Sequence, residues 1–310
     1  MAKDLQQFLD AEERVWSSLG VQPKDRRVAL PSGAGVRVQE VGDGQPLIFI
    51  HGGSVGGTSW AHLAVRLEGV RCILIDRPGC ALSDPVPGDP PRSIAEIHTH
   101  ADGFLPDLLD ALELEHAAIA ASSYGGFFAV RGAAAAPQRV TKLVEYSWLV
   151  GAPSEAAPLT VRIGALPGMQ ALMTRIPMTR SMVKGALSQF GMGKAIESGA
   201  FDDLMLDWVH ALMRHTETLA NDVRSLPKVF TPIRGQNPDV LHADEVLAKL
   251  NMPALFLWGE EDPNGGAAVA RQFAPRLPDA ELVVIPGAEH APWLDDMETC
   301  VTHTQAFLDQ

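Results

Sequence analysis

Cysteine is scarce in this chain of 310 residues, and Cys72, Cys80 and Cys300 form an odd, widely scattered set. Such a set argues against a disulfide framework and for a reducing compartment. Positive charge is also in short supply: 25 Lys and Arg stand against 38 Asp and Glu, a formal net charge of −13. That balance offers no electrostatic footprint for nucleic acid or an anionic membrane, so neither is expected as a partner. No apolar run approaches the ~20 residues that span a bilayer. The opening Met-Ala-Lys-Asp is not followed by the apolar stretch of a secretory signal. A soluble, cytoplasmic protein is expected, of unknown oligomeric state.

Metal and phosphate signatures are missing too. His98-Thr99-His100 is the one close histidine pair, and no further ligands stand at metal spacing, so neither a metal nor a cofactor is implied. The loop Gly52-Gly53-Ser54-Val55-Gly56-Gly57 follows a strand but lacks the spacing of a dinucleotide fingerprint and the Lys-Ser/Thr of a phosphate loop.

What the chain does have is 46% apolar residues, enough for one large core. Strand patterns fall near Arg26–Leu30, Val36–Val41, Leu47–Ile50, Cys72–Ile75, Ala117–Ala121, Leu143–Tyr146, Ala254–Trp258 and Leu282–Ile285. The later ones alternate with helical stretches, which predicts an α/β fold with a mostly parallel central sheet flanked by helices. Ahead of them, Leu5, Phe8, Leu9, Val15, Trp16 and Leu19 recur at helical spacing, giving an N-terminal helix within residues 1–20. Between about 151 and 251 the alternation stops, and helical pieces are punctuated by Pro153, Pro158, Pro167, Pro177, Pro227, Pro232 and Pro238.

Three local contexts carry chemistry. The apolar run Ala117 to Ala121 breaks at Ser122-Ser123-Tyr124-Gly125-Gly126, and a helical stretch follows at once. A serine on such a strand-to-helix turn needs small residues two positions to either side. Ala121 and Gly125 provide them for Ser123, whereas Ser122 would have Tyr124 in that place. A serine hydroxyl also needs a base and a carboxylate to orient it. Trp258-Gly259-Glu260-Glu261-Asp262 follows one strand, and Gly287-Ala288-Glu289-His290 follows the next.

Together these contexts resemble the α/β-hydrolase superfamily, in the order Ser, Asp, His that this fold uses. The resemblance implies Ser123 as nucleophile, Asp262 as acid and His290 as base. It extends to Ile50-His51-Gly52-Gly53, which implies an oxyanion hole from the backbone N–H groups of Gly53 and Tyr124, with His51 shaping the loop. It also covers Asp76-Arg77-Pro78-Gly79-Cys80-Ala81-Leu82-Ser83-Asp84, where a structural role and ion pairing of Asp76 and Arg77 are expected. Alanine replaces the usual first glycine of the elbow at Ala121 and the second glycine of the Asp76–Asp84 turn at Ala81.

On this reading, residues 1–150 and 252–310 form the core and 151–251 a helical cap. The cap holds seven of the ten methionines: Met169, Met173, Met178, Met182, Met192, Met205 and Met213. Met173, Met205, Trp208 and Trp148 are candidates to bind an apolar small-molecule substrate. Serine at the elbow and the absence of tyrosine from the cap separate this chain from dehalogenases and epoxide hydrolases. The expected activity is hydrolysis of a carboxylic ester or lactone through an acyl-enzyme on Ser123. The alternatives are a carbon–carbon bond hydrolase, for which Arg162, Arg175, Arg180 or Arg214 would hold a substrate carboxylate, and a non-enzymatic ligand receptor.

Overall fold

The computed structural model describes residues 4–87, 91–154, 157–233 and 235–310. Its ten strands are β1 (Lys24–Ala29), β2 (Gly35–Val41), β3 (Gln45–Ile50), β4 (Val70–Ile75), β5 (Ala117–Ser123), β6 (Val140–Leu149), β7 (Phe230–Thr231), β8 (Gly235–Gln236), β9 (Ala254–Gly259) and β10 (Ala280–Ile285). β7 and β8 form a two-stranded ribbon, and the other eight form one sheet in the order β1-β2-β4-β3-β5-β6-β9-β10. β1 and β2 are antiparallel to their neighbours, while the pairings from β4 through β10 are parallel.

Burial on both faces explains why the central strands read as unbroken apolar runs. In β3, Leu47 and Phe49 enter one core cluster and Ile48 and Ile50 the other, with the sheet between them. The eight strands of the main sheet match the eight expected from sequence, while β7 and β8 were not expected; β6 runs longer, since it stays buried through Trp148 and Leu149. The N-terminal helix Leu5–Ser18 buries Phe8, Ala11, Val15 and Trp16. Its Glu12 is also buried, bonded to Arg37 at 2.6 Å and to the Thr58 hydroxyl at 2.7 Å.

Between β6 and β9 the chain forms helices Leu159–Gly164, Met169–Met173, Arg180–Leu187, Gly193–Ser198, Asp203–His215 and Thr218–Val229. Pro227, one of the residues expected to break structure, lies inside the last of these; the helix ends two residues beyond it.

One core residue breaks the burial rule for charge. Glu145 on β6 is fully buried, and neither carboxylate oxygen has a hydrogen-bond partner among the described residues. Burial pushes its carboxyl well above the ordinary 4.5. Folding therefore takes up a proton above that pH, and the group's contribution to stability falls as pH rises through the folded-state value, by up to ~1.4 kcal/mol per unit. Glu145→Met is expected to stabilise the fold by about 1–3 kcal/mol near neutrality. In urea melts at about pH 5 and about pH 8, the gap between variant and parent should widen with pH. A gap independent of pH would show that the carboxyl is charged and paired.

Candidate active site

Ser123 is the last residue of β5 and the N-cap of helix Tyr124–Ala135, with φ 58° and ψ −122°. A non-glycine residue held in that region is strained, and the strain turns its side chain out of the strand-to-helix bend. The bend is tight because helix and strand meet backbone to backbone: a Cβ on Gly125 would lie 2.2 Å from the Ile50 carbonyl oxygen. On the other side, a Cβ on Gly52 would stand 3.1 Å from the Ser123 Cβ. The serine is therefore packed against the loop that follows β3.

That loop is fixed from beneath. Nε2 of His51 accepts from the Arg77 N–H at 2.9 Å, which leaves Nδ1–H to donate to the Gly52 carbonyl at 2.7 Å. Burial and the Arg77 charge hold His51 well below its ordinary pKa, so it stays neutral and serves as a brace. The Arg77 side chain donates to the carbonyls of His51 (2.9 Å) and Gly52 (3.0 Å), and its guanidinium lies 5.0 Å from the Tyr124 ring centre.

Arg77 and Asp76 are each ion-paired, with partners remote in sequence. Arg77 pairs with Asp222 of helix Thr218–Val229 at 3.2 Å, and Asp76 stands 3.6 Å from Arg37. Asp222 also accepts from the Ser54 N–H at 2.5 Å, so a helix of the inserted segment holds the loop that carries Gly53. Nothing local in the sequence marks Asp222, one acid in an amphipathic helix. Burial pushes Asp76 up to about 6 against the opposing pull of Arg37; it accepts from the Gly57 N–H at 2.9 Å.

Asp262 and His290 meet across the loops after β9 and β10. The His290 Nδ1 lies 2.7 Å from the Asp262 Oδ2, both side chains being almost wholly buried. The same oxygen accepts from the Trp148 N–H at 3.0 Å, and Oδ1 accepts from the Asn264 N–H (2.8 Å) and side-chain amide (3.1 Å). A carboxylate bonded so fully is fixed in place and keeps the proton on Nδ1, which turns Nε2 into the free acceptor. The inserted segment supports this corner as well: His290 N–H donates to the Gly191 carbonyl at 2.9 Å and Asn264 to that of Phe190 at 3.1 Å. Gly191 has φ 86°, and a Cβ there would come within 2.6 Å of Pro263 and 2.8 Å of His290.

Ser123, His290, Gly53 and Tyr124 all line one cavity of about 520 Å³, together with Trp148 and Met173. The remaining wall is mostly apolar, with Met178, Met182, Met192 and Met213 contributing. Two of the expected substrate contacts fall elsewhere. Met205 and Trp208 lie on the buried face of helix Asp203–His215, wholly buried in a core cluster, and do not line the cavity. Their apolar character made them candidates; whether an apolar side chain meets the core or the cavity depends on tertiary packing. Trp60, Trp293 and Asn264 line the cavity without having been singled out.

The charge of the wall is as informative as its shape. Among the described residues lining the cavity, Asp222 and His290 are the only titratable side chains besides Tyr124, and no Arg or Lys is present. Arg162 is spent on the Pro232 carbonyl at 2.8 Å, Arg180 on Asp207 at 2.6 Å, and Arg214 lines a groove against the N-terminal helix.

The model of the alpha/beta hydrolase family matches residues 47–302. The chain belongs to that family. Relatives include a 2-hydroxy-6-oxononadienedioate/2-hydroxy-6-oxononatrienedioate hydrolase of Paraburkholderia xenovorans, 31% identical over 80% of this chain and 82% of that protein. Among solved structures, carboxylesterase CesB of Bacillus subtilis superposes with a TM-score of 0.75 at 18% identity, covering 98% of both chains. The 2-hydroxy-6-oxo-6-phenylhexa-2,4-dienoate hydrolase of Rhodococcus sp. strain RHA1 gives 0.72 at 17%, over 93% of this chain and 100% of the other. The family assignment accounts for the eight-stranded sheet, and these structural likenesses concern the fold alone.

Proposed function

We propose that this member of the family is a serine hydrolase that cleaves a carboxylic ester or lactone of an apolar small molecule. The observation that carries this reading is a strained serine sharing an apolar, cation-free cavity with a buried Asp–His pair. Ser123 Oγ attacks the carbonyl carbon as His290 Nε2 takes its proton, and Asp262 stabilises the resulting imidazolium. The oxyanion receives the N–H groups of Gly53 and Tyr124. Collapse expels the alcohol, which takes the proton from His290 and leaves an acyl-Ser123 ester. Water then attacks that ester with His290 again as base, releasing the acid.

A second reading, hydrolysis of a carbon–carbon bond in a ring-cleavage diketone, is favoured by the names of the curated relatives. A dienedioate carries two carboxylates, and the described wall offers no cation for either. Fluorophosphonate labelling with peptide mapping, followed by turnover of neutral apolar esters, lactones and a carboxylated diketone, separates these readings. One adduct on Ser123 and preferred turnover of neutral esters or lactones are expected. Preference for the diketone would support the second reading, and ligand binding without turnover a receptor.

If Gly53 supplies an oxyanion donor, Asp222 sets its position through Ser54 and Arg77. Asp222→Ala is expected to lower kcat on a short ester by about 10–100-fold, somewhat less than loss of a donor itself. Asp222→Asn, which keeps an acceptor for the Ser54 N–H, should recover part of that loss. Equal activity in all three proteins would remove Asp222 from the mechanism.

A further inference from the structure

Whole-chain charge conceals a segregation within the inserted segment. From 157 to 196 there is no Asp or Glu, yet the stretch holds Arg162, Arg175, Arg180, Lys184 and Lys194 in a chain of net charge −13. Arg180 is neutralised by Asp203 and Asp207, and Lys194 by Glu261. Arg162 bonds only to backbone carbonyls of Pro232 and Ile233, and Arg175 and Lys184 have no carboxylate partner among the described residues. Three cations of this stretch therefore have no carboxylate partner among the described residues.

The same stretch carries most of the exposed bulky apolar surface. Leu159 is 64% exposed and Leu172 49%, with Ile163, Leu166, Ile176 and Met182 also exposed. Ile233, 84% exposed, adjoins through the Arg162 contact. Ile176 and Met182 also line the cavity over Ser123, so this apolar surface continues into the cavity mouth.

From this juxtaposition we infer that the face formed by helices Leu159–Gly164 and Met169–Met173 and the chain to Lys184 docks on an anionic lipid surface. Leu159, Leu172 and Ile233 enter the headgroup boundary, and Arg175 and Lys184 meet the phosphates. Apolar residues flanked by cations are the combination such a surface selects. A two-fold contact with a second copy fits the charges less well, because it would set the same cations against each other. Docked in this way, the cavity mouth opens toward the phase in which apolar substrates concentrate. The net charge of −13 that argues against a membrane partner averages over the acidic remainder of the chain.

Flotation of the intact protein with phosphatidylcholine vesicles, with and without phosphatidylglycerol, tests this independently of any turnover. Binding is expected to the phosphatidylglycerol vesicles, to be much weaker on phosphatidylcholine alone, and to decline with salt. Leu159→Ser/Leu172→Ser should reduce partitioning by about tenfold or more. Arg175→Gln/Lys184→Gln should reduce it by about fivefold for each cation removed. None of these four residues lines the cavity, so melting temperature and hydrolysis of a short soluble ester should be unchanged. The inference is overturned by absence of flotation, by equal binding to both vesicle types, or by undiminished binding of the serine variant. It is also overturned by a concentration-dependent dimer that the serine variant dissolves, since a second copy would then cover the face.

Discussion

Ser123→Ala is expected to abolish hydrolysis of any ester the protein turns over, by about 10⁴-fold or more in kcat, with KM changed little. Ser122→Ala should retain most activity. The two serines are neighbours and both line the cavity, so the contrast tests the register of the turn rather than the presence of a hydroxyl. Ser123 alone has the strained backbone at the helix entry. Small residues two positions away, Ala121 and Gly125, allow the close approach to β3 that holds it there. Steady-state rates of both variants on one ester decide the matter. Equal loss in the two would place the nucleophile elsewhere or make the pair interdependent.

The second large effect is expected at Asp262. Its Oδ2 serves His290 and the Trp148 N–H at once, and Oδ1 is held by Asn264. Asp262→Asn preserves shape but presents an amide whose N–H can no longer accept from Nδ1, so the imidazole turns to the wrong tautomer. A fall in kcat of roughly 10⁴-fold is anticipated, with the melting temperature close to the parent's if packing is retained. Retention of more than about a tenth of the parent rate would show that His290 finds its orientation from another group, such as the Gly191 carbonyl that holds its backbone.

How much of this was legible beforehand differs from element to element. The central strands were legible because both faces of a parallel sheet are buried, which writes β3 and β9 as unbroken apolar runs. The turn at Ser123 was legible because its geometry tolerates few residues, and those few stand in consecutive positions. The cavity wall was legible only in part. Met173 and Trp148 line it, while Met205 and Trp208, equally apolar, are packed into the core. Periodicity tells which face of a helix is buried and not whether another side chain or an empty space lies opposite. Asp222 left no local sign at all, since its partners Arg77 and Ser54 are more than a hundred residues away.

The sequence by itself determined the class of fold, the strand-to-helix turn, and Ser123, Asp262 and His290 as candidates, because each is encoded in short-range pattern and steric demand. Tertiary structure alone decided that His290 meets Asp262 and that the inserted segment braces both the Gly53 loop and the His290 loop. It also decided which methionines face the cavity and which apolar side chains between Leu159 and Met182 stay exposed. These depend on contacts between segments far apart in the chain, and the energy of such contacts is set by packing and desolvation that exist only once the chain has folded.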